Sequence, residues 1–270
     1  MTTSIRLDAQ GGEDFFPDAE RFLYRHSPLR QVICQLRFPS ILRIESAAPA
    51  DFQEDIRHVF PIFHRQALGT VQNIPSEVMQ LLGASVVSTT YLFATEVGEL
   101  QLTLNIESLS LTCNKYIRWE DFKGVLDLSL RALAKHYKPS FYNRLGLRYL
   151  NVIDRKILKR EELKWSSLIN PQLLGEVALP HIENHLLDAR KAIRIRDNQS
   201  SLLIQHGLAI VDGKTTPDAY LIDSDFYTDD REEVDNAEQV LDGFHSRARR
   251  VFRWAISDQL HDALGPEPCP

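Results

Sequence analysis

Apolar and polar residues alternate along many short segments of the chain, and this periodicity is typical of β-strands. The first such segment, Gln31–Phe38, carries apolar side chains at every second position. Further strands are predicted at Val86–Glu96, Leu100–Glu107, Leu109–Tyr116, Phe141–Ile153, His185–Arg196, Ser201–Val211 and Ala219–Tyr227. Turn-forming sequences separate them, including Asp197-Asn198-Gln199 and Asp212-Gly213-Lys214. The short spacings predict antiparallel pairing.

Helical patterns fall between these strands. Helices are predicted at Asp51 to about Gln66, at Glu120–Tyr137, around Glu161–Leu174 and at about Val234–Leu264. The second ends ahead of Pro139, where a proline stops a helix, and the last is closed by Gly265 and Pro266. The order strand, helix, three strands, helix therefore occurs twice.

The sequence thus predicts an α+β fold in which duplicated strand-helix-three strands-helix units form a curved antiparallel sheet with helices packed on one face. The boundaries are a partly flexible N-terminal segment (1–27), a first half (28–138), a second half (139–264) and a C-terminal tail (265–270). Such architectures include the saddle of TATA-binding proteins and the helix-grip fold of hydrophobic-ligand carriers. Fold analogy carries no function by itself.

Composition narrows the function classes. The chain has 270 residues, 43% of them hydrophobic, and a formal net charge of -6, so its total charge does not attract nucleic acid. It contains no apolar run of membrane-spanning length and no secretory signal pattern, which predicts a cytoplasmic protein without membrane contact. Cys34, Cys113 and Cys269 are odd in number and scattered, as expected of reduced thiols.

The strand periodicity gathers charged side chains on one predicted sheet face. Arg144 and Arg148 share a side of their strand, Asp223 and Asp225 share a side of another, and Arg194 projects from the polar side of a third. Three interpretations remain open. The face is a solvated ladder of ion pairs, a recognition surface whose arginines bind an anionic partner, or a divalent-cation site at the two aspartates.

The last predicted helix has a strongly basic polar face. Arg249 and Arg253 lie on it, either as part of a solvated face or as contacts to a partner protein or nucleic acid. His245 on the same helix is interpreted as a core-edge residue that ties the helix to the sheet. The chain shows no phosphate loop, dinucleotide glycine pattern, paired-cysteine motif or nucleophile elbow. We therefore assign no catalytic residue, metal ligand or cofactor.

Several phrases resemble a known family. They are Pro28-Leu29, Tyr142-Asn143-Arg144-Leu145-Gly146-Leu147-Arg148-Tyr149 with Asn151, Leu221-Ile222-Asp223-Ser224-Asp225, and the long helix near His245. Together they are similar to a sporadically distributed family of uncharacterised bacterial proteins of about this length, over about Pro28 to Leu264. The resemblance implies the patchy occurrence of accessory genes, which is compatible with phage defence or toxin neutralisation. It supplies no reaction and no catalytic residue.

The leading hypothesis is a non-enzymatic binding protein, an accessory or regulatory subunit whose partner is a protein. Replacing Arg144 and Arg148 by alanine is predicted to abolish partner capture and leave the fold intact. One alternative is a metal-dependent enzyme acting on a phosphorylated or nucleotide substrate. Another is a hydrophobic-ligand carrier, which requires a closed apolar cavity between the long helix and the sheet. Contact with nucleic acid through the arginine clusters and self-association are compatible with the first hypothesis.

Overall fold

The computed structural model describes residues 15–68, 88–179, 181–182, 185–196, 200–210 and 218–269. These residues form an α+β fold. The strands are β1 (Phe22–Tyr24), β2 (Leu29–Arg37), β3 (Ile62–Leu68), β4 (Ser88–Ala94), β5 (Leu100–Asn105), β6 (Ser108–Cys113), β7 (Arg144–Asp154), β8 (Arg190–Arg196), β9 (Ser201–Ala209), β10 (Ala219–Thr228) and β11 (Pro266–Pro268). The short β1 and β11 pair with each other near the chain ends.

The other nine described strands form one antiparallel sheet with the order β3-β4-β5-β6-β2-β7-β10-β9-β8. Its centre is the β2–β7 pair, which joins strands from the two predicted halves of the chain. Strands β3 and β8 are the two edges. The predicted α+β class and the antiparallel sheet are therefore confirmed.

The helices of the described residues are α1 (Leu42–Ser46), α2 (Ala50–Ile56), α3 (Trp119–Tyr137), α4 (Trp165–Leu168), α5 (Pro171–Leu174), α6 (Ala237–Ala255) and α7 (Asp258–Leu264). Two short 3-10 helices add Gly175–Ala178 and Val234–Asn236. Both long helices, α3 and α6, are amphipathic, since their apolar side chains recur every three or four residues. No helix in this described part of the chain is long and apolar enough to cross a membrane.

The sheet buries one face against these helices. One cross-strand row on that face consists entirely of buried apolar residues: Leu111, Cys34, Leu147, Phe226 and Leu202. The same core cluster contains Leu126 and Leu133 of α3 and Phe244 and Val251 of α6. Alternation along each strand then places the intervening polar residues on the opposite face, as the sequence pattern indicates. Burial of this extensive apolar surface is the main stabilising term for the fold.

The predicted helix from Asp51 to Gln66 is wrong in its second half. Helix α2 ends at Ile56, and the chain from Ile62 onward belongs to β3. Pro61 explains the change, because a proline disfavours helical backbone in the residue before it. The predicted strands at Val86–Glu96 and Ser201–Val211 begin or end on residues outside the described ranges. Both turn tripeptides lie entirely outside those ranges.

The long terminal helix is also two helices. Helix α6 ends at Ala255, and Ile256 forms an isolated β-bridge with Ile169. Ser257 then begins α7, because its Oγ accepts a hydrogen bond from the backbone N–H of Leu260 at 3.1 Å. A serine cap of this kind satisfies a backbone donor that a helix start leaves free. The segment therefore turns where the sequence pattern predicts one continuous helix.

Candidate functional site

Strand register brings the predicted polar side chains together on the sheet face opposite the helices. Arg148 of β7 lies directly across from Asp225 of β10, and Asp225 lies across from Leu203 of β9. Leu203 in turn lies across from Arg194 of β8. One cross-strand row thus contains three of the predicted residues, and we call the surface around it the polar sheet face.

The strongest contact on the polar sheet face runs along a diagonal of the ladder. Arg148 donates from Nε to one carboxylate oxygen of Asp223 at 2.7 Å and from a terminal nitrogen to the other oxygen. The Asp223 side chain is only 5% exposed, whereas that of Arg148 is 44% exposed. Two parallel charge-assisted hydrogen bonds therefore compensate a buried carboxylate. They also raise the pKa of Arg148 above its ordinary value.

Arg144 makes the second set of contacts on this face. It donates to Asp225 at 3.1 Å and to Asp229 at 2.9 Å, and its guanidinium lies 4.2 Å from the ring centroid of Tyr227. Burial raises the pKa of Asp225, an effect that the neighbouring charges of Arg144 and Arg148 oppose. Both predicted arginines of β7 are thus engaged within the fold.

Arg194 differs from these two arginines. It is exposed on the edge strand β8 and has no ion pair in the described part of the chain. Asp223 and Asp225, in contrast, both accept hydrogen bonds from arginine. The described residues contain no group of three or more His, Cys, Asp or Glu side chains placed to hold a metal. The polar sheet face therefore consists chiefly of ion pairs made by Arg144 and Arg148, and Arg194 on β8 takes no part in them.

A cleft lies on the other side of the sheet, next to α6. Its walls come from β1, from the segment before α3, from β7 and β10, and from α6. Its volume is about 290 Å³. We call it the aromatic cleft, because its larger lining side chains are Phe22, Tyr24, Tyr116, Trp119, Tyr149 and Phe252.

Helix periodicity explains how α6 contributes to the aromatic cleft. Ala248 and Arg249 follow His245 by three and four residues, and Phe252 follows it by seven, which places all four on one helical face. All four line the cleft, and Arg253 lines it beside them. The two arginines predicted as binding residues on the last helix, Arg249 and Arg253, are therefore brought together here. They lie apart from the β7 and β10 residues of the polar sheet face.

A hydrogen-bonded aromatic cluster forms the inner wall of the cleft. The Tyr149 hydroxyl lies 2.9 Å from Nδ1 of His245, and the imidazole stacks on Trp119 with a centroid separation of 4.6 Å. Trp119 is fixed in turn by its Nε1–H, which donates to Asp242 at 2.7 Å. Burial lowers the pKa of His245 to about 4, and the charges of Arg21 and Arg249 act in the same direction. His245 is therefore neutral at pH 7.

Tyrosines of this wall stay neutral as well. Burial raises the pKa of Tyr149 well above its ordinary value, and it raises the pKa of Tyr116 too. Tyr24 faces the same cleft, and its pKa rises to about 12 for the same reason. The inner wall thus offers uncharged aromatic surface with a few hydrogen-bonding groups.

Sequence reasoning predicted the cleft only in part. It identified Arg249, Arg253 and His245 on the last helix, but not the tyrosines and Trp119 that complete the site. One available signal was the spacing of His245, Ala248, Arg249 and Phe252, which puts two polar and two apolar side chains on the same face of the helix. The contribution of β1 gave no signal, since a three-residue strand has no readable periodicity.

Comparison of the chain with protein-family models gives no match, and comparison with curated proteins gives none either. The function is therefore inferred from the geometry of the polar sheet face and the aromatic cleft.

Proposed function

We propose that the chain is a small-molecule binding protein, a carrier or receptor, and that the aromatic cleft is its ligand site. The observation that carries the proposal is the cleft itself. It lies between the long helix α6 and the sheet, the position that a hydrophobic-ligand carrier requires, and six aromatic side chains line it.

The chemistry of the cleft favours this function. Ligand sites are concave and mainly apolar, contain a few convergent polar groups and enclose about 300 to 1,000 Å³. The aromatic cleft, at about 290 Å³, suits a compact ligand. Tyr149, His245 and Asn151 supply hydrogen-bonding groups among the rings. A flat or short-chain apolar molecule would bury its surface against these rings and replace water there.

Phenylnaphthylamine, an uncharged aromatic dye that fluoresces in apolar surroundings, tests the proposal. We expect saturable binding to the intact chain with a stoichiometry of one. Native mass spectrometry of the protein purified from its host supplies a second measurement, in which a bound small molecule would appear as an added mass. A linear fluorescence response without saturation would contradict a defined site.

Two matched isoleucine variants locate the bound dye. Ile117 lines the cleft and is 62% exposed, whereas Ile157 lies outside it and is 56% exposed. Because both side chains are exposed, Ile117→Asp and Ile157→Asp leave the core untouched. Loss of apolar contact should weaken dye binding about tenfold in Ile117→Asp and leave it unchanged in Ile157→Asp. Equal affinities of the two variants would place the dye elsewhere.

A second candidate function is capture of a macromolecular partner at strand β8. This strand is an edge of the sheet, so its outer backbone groups have no strand partner among the residues that the structure describes. Its exposed Arg194 has no ion pair within the described residues. An extended acidic protein segment would match both features by adding a strand and pairing a carboxylate with Arg194.

Affinity purification from the native host tests this second function. The wild-type chain and an Arg194→Glu variant would serve as parallel baits. A partner held at β8 should be retained by the wild type and lost by the variant. Retention by both would move the contact away from this edge, and a nucleic acid in place of a protein would overturn the choice of partner.

We also propose that the sheet consists of two equivalent units. The strand order supports this view, because β6, β5 and β4 follow outward from β2 in the same way that β10, β9 and β8 follow outward from β7. A long helix ends each unit, α3 in the first and α6 in the second. On this view β3 is an addition to the first unit, and the aromatic cleft lies where the second long helix meets the central strands.

A further inference from the structure

We infer that the ligand of the aromatic cleft carries an anionic group, and that Arg249 binds this group. The inference rests on the proposed function, because it assigns a chemical class to the ligand of that same site. A small aromatic or short aliphatic molecule with one carboxylate, sulfonate or phosphate fits the class.

Four arginines line the cleft, and three of them are already neutralised. Arg21 donates two hydrogen bonds to Glu120, at 2.8 and 3.1 Å. Arg118 donates to Asp121 at 2.9 Å. The third, Arg253, forms an ion pair with Asp258. Each of these guanidinium groups therefore has a carboxylate partner within the protein.

Arg249 lacks a comparable partner. Among the described residues its closest carboxylate is that of Asp18, at 3.9 Å, which is beyond hydrogen-bonding distance. Asp18 is itself highly exposed and lies closer to Arg250, at 3.3 Å. The Nε–H of Arg249 is buried and donates to no group among the described residues. Because buried donors are normally hydrogen-bonded, this one indicates an acceptor that the described residues do not supply.

The surroundings of Arg249 favour an anionic acceptor. Its side chain is only 27% exposed, so solvent screens its charge less than at an open surface. The neighbouring His245 is neutral at pH 7 and adds no competing charge. Glu20 also borders the cleft, but it is exposed and water can screen it. A ligand anion would pair with the guanidinium while its apolar part contacts Phe252 and the tyrosines.

A pair of fluorescent dyes tests the inference. Anilinonaphthalene sulfonate and phenylnaphthylamine share the same ring system and differ by one sulfonate. Both dyes should bind the wild-type chain and compete with each other. The sulfonate dye should bind about tenfold more tightly, because a charge-assisted hydrogen bond to Arg249 adds to its binding free energy. Equal affinities of the two dyes would overturn the inference.

Three variants identify the side chain responsible. Arg249→Gln should lower the affinity for the sulfonate about tenfold and leave the uncharged dye unaffected. Arg249→Lys keeps the charge and should retain part of the preference. Arg43→Gln is the matched control, since Arg43 is exposed on α1 and lies outside the residues that line the cleft. It should change neither affinity.

The outcomes separate this inference from the proposed function. If neither dye binds saturably, the cleft is not a ligand site and both proposals fail. If both dyes bind and Arg249→Gln does not alter the ratio of their affinities, the cleft is a ligand site but Arg249 does not bind the anionic group. Circular dichroism of each variant excludes unfolding as the cause of lost binding, and the uncharged dye provides the same control within the binding assay.

Discussion

Removal of Arg148 is the sharpest test of how the polar sheet face is held together. Arg148→Ala deletes both hydrogen bonds to Asp223, a carboxylate that is 5% exposed. Breaking a buried ion pair from one side costs about 3 to 5 kcal/mol, because the remaining charge has lost its compensation. Arg148 itself is 44% exposed, so water reaches the space it leaves. We therefore expect the lower value, a loss of about 3 kcal/mol in the free energy of unfolding.

Urea denaturation at pH 7, followed by tryptophan fluorescence, measures this loss. Arg194→Ala is the matched control, since it makes the same substitution at an exposed arginine without an ion pair in the described part of the chain. Its cost should stay within about 0.5 kcal/mol. The double variant Arg148→Met, Asp223→Leu removes both charges and should recover most of the stability.

A stability of Arg148→Ala equal to that of Arg194→Ala would refute this reasoning. The expected loss also changes how the predicted alanine test of Arg144 and Arg148 must be interpreted. Both side chains hold carboxylates of β10, so their removal perturbs the sheet together with any partner contact. Arg194→Glu examines partner capture on that side of the molecule without this complication.

Three further predictions follow from the structure. The pKa of His245 is lowered to about 4, so its neutral form is favoured in the folded chain; this stabilisation is present above about pH 6.5 and lost as the pH falls toward 4. As the pH falls over this window, the free energy of unfolding of the wild type should decrease by up to about 3 kcal/mol more than that of His245→Gln, as measured by urea denaturation at each pH. The same pH dependence in both proteins would contradict a lowered pKa of His245. Gly207→Ala should lower the free energy of unfolding by about 3 kcal/mol in thermal denaturation, because a Cβ would lie 1.9 Å from the carbonyl oxygen of Ala189. Gly146→Ala is the control: its Cβ would lie 3.6 Å from the nearest atom, so the loss should stay under about 1 kcal/mol. Ser257→Ala removes the cap of α7 and should lower the unfolding free energy by about 1 kcal/mol, while an unchanged value would show that the cap is dispensable.

Strand periodicity predicted most of the large sheet, because each strand buries one face and so alternates apolar and polar residues. The sequence pattern failed where local propensity and tertiary context disagree. The segment that becomes β3 has the composition of a helix continuation, but Pro61 ends α2 and pairing with β4 selects the strand. The break at Ile256 depends on a bridge to Ile169, a contact that no local pattern encodes.

The aromatic cleft was harder to predict than the sheet, because it joins distant parts of the chain. Strand β1 pairs with β11, with Leu23 opposite Glu267, and its Tyr24 packs edge-on against Phe252 of α6. Tyr116 and Trp119 flank the start of α3, and Tyr149 lies on β7. No periodicity links these positions, so only the folded arrangement reveals that they share one surface. The spacing on α6 was the single local signal.

Pairing, more than position, determines which of the predicted charges are available for recognition. Arg144, Arg148 and Arg253 each hold a carboxylate, so a ligand would have to displace an existing ion pair to bind them. Among the described residues Arg194 has no such partner, and the one carboxylate near Arg249 is that of Asp18, at 3.9 Å. The two lie on different surfaces, the edge strand and the cleft. Substituting each one alone therefore separates a macromolecular partner from a small anionic ligand, because each variant should affect one kind of binding and leave the other intact.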